Sequence, residues 1–215
     1  MTWWRWLWFS DGGLACRIAL GVGFLVALAI IDYRRNGRQA DRWREYLFLA
    51  GAVAVAMLYA LANDMVTVTI SPEYFLNHEN LEWQDRFSRP GGMYGLAAGV
   101  ALRASWSAGL MIGVVLLVAN NPSPRFPRIA WRRMYRLLGL PAGTAAVTAA
   151  GAGGLRWLGG LDWLLGPASL AMRPFETVYA VHAGAYLGGL LGTLAAVIYI
   201  LHARRGPFKP AGNSI

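Results

Sequence analysis

Residues 177–201, TVYAVHAGAYLGGLLGTLAAVIYIL, decide the fold. The stretch holds no Asp, Glu, Lys or Arg, and its one strongly polar ionisable group is His182. About 20 apolar residues at 1.5 Å each cross the hydrocarbon core of a bilayer as a helix. A barrel strand would instead alternate polar and apolar residues over about ten positions. The run is continuous, so a helix is expected, with its backbone groups satisfied internally.

Working outward, four more apolar segments stand at about 14–31, 46–68, 92–118 and 137–155. The expected fold is all-α: a polytopic transmembrane helix bundle of about five spans, forming one domain over residues 1–215. The first segment is the weakest, because Arg17 lies near its outer end. Trp3, Trp4, Trp6 and Trp8 precede it and suit an interfacial anchor that lets Arg17 snorkel outward. Composition agrees with a bilayer protein. Hydrophobic residues make up 56% of the chain and charged residues only 14%, too few to cover a soluble domain of 215 residues. Cys16 is the single cysteine, which excludes an intrachain disulfide and a thiolate metal cluster. Arg5 and Asp11 interrupt the region before it, so the Gly-Leu-Ala-Cys stretch does not read as a lipoprotein cleavage box.

The net charge of +9 invites a nucleic-acid reading, but its placement argues otherwise. Arg34, Arg35, Arg38, Arg42 and Arg44 cluster in residues 32–45, and Arg125, Arg128, Arg132, Arg133 and Arg136 in residues 120–136. Arg204, Arg205 and Lys209 follow the last segment, whereas residues 70–91 carry Glu73, Glu79, Glu82 and Asp85 against Arg86 and Arg89. The positive-inside rule puts both arginine loops and the C-terminus in the cytoplasm. The acidic loop, residues 156–176 and the N-terminus then face out. A bacterial cytoplasmic (inner) membrane is the expected location, with the lipid bilayer as partner and no nucleic acid.

Glycines predict how the helices pack. Gly91, Gly95 and Gly99 repeat every four residues on the third segment, as do Gly184, Gly188 and Gly192 on the fifth. Such stripes allow close approach where lipid supplies no hydrophobic drive for association. The fourth segment is Ala and Gly nearly all round, which predicts packing between neighbours, against a second copy or within a larger membrane complex.

Ionisable groups inside apolar segments are costly and tend to face the bundle interior in pairs. Asp64, Arg103 and His182 are three such groups, and with Glu73 and Tyr186 they form the candidate polar site. Arg103 is long enough to reach towards Asp64. A structural ion pair fixing helix register accounts for them equally, since buried pairs often serve structure. His182, Tyr186, Gly189 and Thr193 share one helical face, suited to lining a cavity or to a packed seam. In the outer loop, Ser71-Pro72-Glu73 reads as a cap and first turn of a short helix, with Tyr74, Phe75 and Trp83 at the membrane surface. Glu73, His78 and His182 are weak candidate metal ligands, because no tightly spaced pair such as H-E-x-x-H supports them. No cofactor is expected. Serine-elbow, P-loop and dinucleotide motifs are missing, and nothing positions Ser105 or Ser107 as a partner of a histidine.

Three stretches carry a resemblance: Asn63-Asp64 through Thr67 and Thr69 into Ser71-Pro72-Glu73-Tyr74-Phe75, then Ser105-Trp106, then His182 with Tyr186, Gly188 and Gly189. Over about two thirds of its length the chain resembles a family of bacterial multi-pass membrane proteins with an SPEYF loop element and a C-terminal HxxxYxGG helix. Members of that family tend to carry an amide after the histidine and a Trp pair in the third span; here Ala183 and a single Trp106 stand. The resemblance implies a fold and a region of interest, and no activity.

Three functions follow as expectations. The first is a non-enzymatic accessory, assembly or scaffold component. The second is a small transporter or channel-like protein with an outward-facing polar pocket at Asp64, Arg103 and His182. The third is a membrane-embedded hydrolase using Glu73 with His78 or His182.

Overall fold

The computed structural model describes residues 11–37, 40–78, 92–123 and 126–205. Helices account for nearly all of them: α1 (Asp11–Asn36), α2 (Arg42–Ile70), α3 (Pro72–His78), α4 (Gly92–Ala119), α5 (Trp131–Leu137), α6 (Gly139–Trp157), α7 (Asp162–Leu165) and α8 (Arg173–Arg204). No strand occurs among the described residues; Ser123 and Phe126 form an isolated bridge. Three helices, α2, α4 and α8, are long and apolar enough to cross a membrane. The chain is all-helical and fits a membrane protein. The tryptophans at the start, residues 79–91 with Gly91, and Arg38, Arg125 and Lys209 lie outside the described residues, as do the side chains of Arg17 and His78.

The chain divides into two compact units, Met1–Phe48 and Leu49–Ile215. In the first, α1 turns into the start of α2 through Gly37, whose φ of +54° favours glycine. Asp32 organises this turn. Its Oδ2 accepts the backbone N–H groups of Asp41 and Arg42, each at 3.1 Å, and Oδ1 accepts Asn36 Nδ2 at 2.7 Å. Those N–H groups belong to the orphaned donors of a helix start, where the helix dipole also favours a carboxylate.

The Arg42 N–H bond, aided by Asn36 and Asp41 and opposed by burial, holds the Asp32 carboxyl below the usual carboxylate range. A depressed folded value stabilises the fold above the unfolded value, and that contribution is lost as pH falls through the folded one. Asp32→Ala should accelerate amide exchange at Asp41 and Arg42 roughly fivefold, the scale of a lost helix cap. Acidifying the wild type should produce the same acceleration after correction for intrinsic rates.

In the second unit the closest helix pair is α6 with α8. Gly184, Gly188 and Gly192 lie directly against α6: a Cβ at Gly188 would stand 2.5 Å from the Thr144 carbonyl oxygen and 2.8 Å from Ala145 Cα. At that separation side-chain hydroxyls reach the opposite backbone. Thr144 Oγ1 donates to Gly188 O at 2.7 Å and Thr148 Oγ1 to Gly184 O at 2.6 Å. Each hydroxyl also lies within reach of a carbonyl of its own helix, Leu140 O and Thr144 O. Ala145, Ala149 and Gly153 form the buried face of α6, whereas Gly143 and Gly151 on its other side face open space. The expectation of packing all round is therefore met on one face within this unit.

On α4 the glycine reading needs correction. Gly95 is exposed and Gly99 has open space at its Cβ position. Close approach is made further along, where Gly109 meets Val53 and Ala52 and Gly113 meets Leu49 and Ala52 of α2. Four-residue spacing occurs at both places, and only the face turned towards a neighbour uses it.

Two buried arginines fasten the ends of this unit. Arg204, at the end of α8, donates to the carbonyls of Pro127 (3.1 Å), Phe126 (2.8 Å), Ala119 and Asn121. Asn120 adds a reciprocal pair with the Ile129 backbone. The end of α4 and the end of α8 thus share one side of the unit. On the other side Arg156, only 2% exposed, binds Asp162 Oδ1 at 2.7 Å, Gly166 O at 2.9 Å and the Glu176 carboxylate. α5 and α6 part at Leu138, where Pro141 offers no N–H to the Leu137 carbonyl.

Candidate functional site

Asp64 and His182 meet. His182 Nε2 stands 3.7 Å from Asp64 Oδ1, beyond hydrogen-bond reach but within ion-pair distance. Asp64 sits about two turns before the end of α2 and His182 between two and three turns into α8, so the last part of α2 meets the first part of α8 here. Asn63 Nδ2 donates to Asp64 Oδ1 at 3.2 Å, and Thr67 turns its hydroxyl back onto Asp64 O at 3.4 Å. A buried carboxylate with few partners is costly, and of these two bonds the one from Asn63 is the one that reaches the carboxylate and offsets that cost.

Helix α3 supplies the lid. Pro72 opens it, and the buried Ser71 before it donates to Glu73 Oε2 at 2.9 Å, with the Glu73 carboxylate in the first turn where the dipole favours it. Phe75 is fully buried with Val68, Leu96 and Ala97, pinning α3 between α2 and α4. Tyr74 is then laid flat on His182, ring centroids 4.8 Å apart and planes 13° from parallel. Phe75 meets the same imidazole edge-on at 6.2 Å. Burial first, then the neighbouring Tyr186, Asp64 and Tyr179, push the Tyr74 phenol up to about 12, so it is a neutral hydroxyl across the physiological range.

Behind this group lies a cavity of about 530 Å³ between α2, α4, α6 and α8. Asp64, His182, Tyr74 and Asn63 line one end; alanines and aliphatics such as Ala52, Ala108, Ile112 and Val115 make up much of the rest, with Tyr59, Tyr186, Ser105 and Thr193 among them. From Ala52 to Asp64 the wall runs for about 18 Å at helical rise. All four residues of the His182, Tyr186, Gly189 and Thr193 face line it. Ser105 is on the wall with its hydroxyl turned onto Ala101 O at 2.6 Å.

Of the candidate residues, the structure unites Asp64, His182 and Tyr186 around the cavity. Arg103 is exposed on α4 and outside the lining, so the ionisable neighbour of Asp64 is His182 rather than Arg103. Glu73 is also exposed and outside the lining, occupied with Ser71. Among the described residues no three His, Cys, Asp or Glu side chains cluster to hold a metal ion. Tyr74, assigned to the membrane surface from sequence, belongs to the site. Tyr59 went unread, although its spacing of four from Asn63 puts both on the cavity face of α2.

Chemically, the site offers a carboxylate acceptor, an imidazole and a neutral phenol at the mouth of an apolar slot. It suits an amphiphile with a donor at one end. No protein-family model matches the chain, and neither a curated protein nor a solved structure matches it.

Proposed function

We propose that this is a five-span protein of the bacterial cytoplasmic membrane, N-terminus outside, acting as a non-enzymatic accessory component that holds an amphiphilic small molecule. Its apolar chain lies in the cavity, and an amine or hydroxyl head donates to Asp64. The observation that carries this reading is the segregation within one cavity: Asp64, His182 and Asn63 at one end, an aliphatic slot behind. Arginine placement supports the orientation, as does the shared side of the α4 and α8 ends in the second unit. The open face of α6 is suited to a second copy or a partner subunit.

Dodecylamine, with dodecanoic acid as its anionic counterpart, tests the site by native mass spectrometry in detergent. The amine should bind and the acid should not. Asp64→Asn should weaken amine binding at least tenfold, the scale of a charge-assisted hydrogen bond. Equal retention of both probes, or indifference to Asp64→Asn, would overturn the assignment.

A further inference from the structure

A second concavity adjoins the first along α2, sharing Tyr59 and Asn63 with it: a groove of about 910 Å³ between α2, α6 and α8. Its walls include Val66, Ala146, Ala150, Gly154, Trp157 and Thr177. Thr177 is 4% exposed, and its hydroxyl makes no hydrogen bond among the described residues. Its methyl lies on the Gly153 side, 3.9 Å from where a Cβ there would stand. A threonine buried in a helix commonly bonds a backbone carbonyl, as Thr144 and Thr148 do here. A buried hydroxyl left without an acceptor is costly, so an acceptor that enters the groove beside Thr177 would relieve that cost.

Arg173 stands one turn above Thr177 on the same face of α8. Its Nη1 donates to the carbonyl of Trp157, a residue of the groove wall, at 3.1 Å, which fixes the guanidinium at the groove mouth. Arg173 Nε makes no hydrogen bond among the described residues, and its ionic neighbour Asp162 is 3.8 Å away. From mouth to floor the order is cation, hydroxyl donor, then a smooth Ala/Gly trough.

We propose that this groove binds one glycerophospholipid of the outer leaflet. Its phosphate pairs with Arg173, an ester carbonyl accepts from Thr177 Oγ1, and an acyl chain lies along Ala150 and Ala146. Order and spacing match the lipid, in which phosphate, ester and chain follow one another inward. From Ala146 to Leu158 the groove wall runs for about 18 Å at helical rise, long enough for most of an acyl chain. The proposal rests on the reading that α2, α6 and α8 cross the membrane.

Purified protein titrated with palmitoyl-oleoyl phosphatidylglycerol in detergent, followed by native mass spectrometry, tests it. Wild type should retain one tightly held lipid. Thr177→Val, which keeps the shape and removes the donor, should weaken retention roughly fivefold. Arg173→Gln should weaken it further, and Ala150→Trp, an exposed position, should abolish it by filling the trough. Carbonate extraction of the same membranes separates the two failures. Extraction of the wild-type chain would remove the membrane reading itself. A chain resistant to carbonate whose lipid retention is equal in all four proteins would overturn the lipid site alone. A dimer that Ala150→Trp dissociates without changing lipid retention would likewise overturn it, in favour of a second copy.

Discussion

Gly188→Ala is expected to prevent recovery of a folded chain, while Gly189→Ala, one residue away, leaves melting nearly unchanged. At Gly188 the added methyl meets backbone, the Thr144 carbonyl and Ala145 Cα, and also collides with the Thr148 hydroxyl. Backbone cannot rotate aside as a side chain can, so α6 and α8 must separate along their length. Separation breaks the Thr144 and Thr148 bonds to the glycine carbonyls and opens the buried Ala145–Ala149 face. Overpacking alone costs about 1–3 kcal/mol, and the lost contacts add to it. At Gly189 the Cβ position is open. Detergent-solubilised size-exclusion profiles and thermal melting of the two variants check the contrast; similar profiles would refute the close-packing account.

Arg204→Met should destabilise the second unit by about 3 kcal/mol or more. Methionine keeps part of the stem but strands four carbonyl oxygens, those of Ala119, Asn121, Phe126 and Pro127, that a single guanidinium serves. Each unsatisfied buried group costs about 1–3 kcal/mol, discounted here because Asn121, Phe126 and Pro127 are exposed and reach water. Arg204→Lys should rescue little, since an ammonium cannot fan out to several acceptors as a planar guanidinium does. The neighbouring Arg205 is exposed, and its replacement by methionine should be almost silent. Thermal melting and protease cleavage within residues 120–130 report the effect. A silent Arg204→Met would reduce this arginine to an orienting charge.

How much of this was legible in the sequence depended on whether a residue's role is set by depth or by direction. Depth can be read from position along an apolar run. Asp64 lies towards the end of α2 and His182 towards the start of α8, both in the half read as outer, and they meet. Direction cannot be read this way. Arg103 shares that region of the chain yet projects to the exposed side of α4, and Gly99 repeats the spacing of Gly109 and Gly113 while facing open space. Gly184, Gly188 and Gly192 announced a close approach by the fifth segment, without naming the fourth as its partner. The hydroxyls that complete it, Thr144 and Thr148, look like ordinary small residues in an Ala-rich run. Charges misled in another way. Arg204 reads as one more cytoplasmic cation and Asp32 as an acid lost among arginines, yet both are backbone clamps whose partners are carbonyl and N–H groups that no side-chain pattern reveals. Tyr74 was placed in the right helix, but its stacking on His182 follows from Phe75 anchoring α3, a tertiary effect.

The paired acceptors of Thr144 and Thr148 have a consequence for biosynthesis. Helix α6 leaves the ribosome before α8 exists, and a helix so rich in alanine and glycine offers its threonine hydroxyls few side-chain partners. Each threonine also reaches a carbonyl of its own helix, at 2.7 Å in both cases. The newborn segment is therefore self-sufficient while it waits. When α8 is threaded in alongside, the same oxygens extend to Gly188 and Gly184 without first being released by water or lipid. Nascent α6 carries its docking contacts in a sheltered form, and α8 is the helix that claims them.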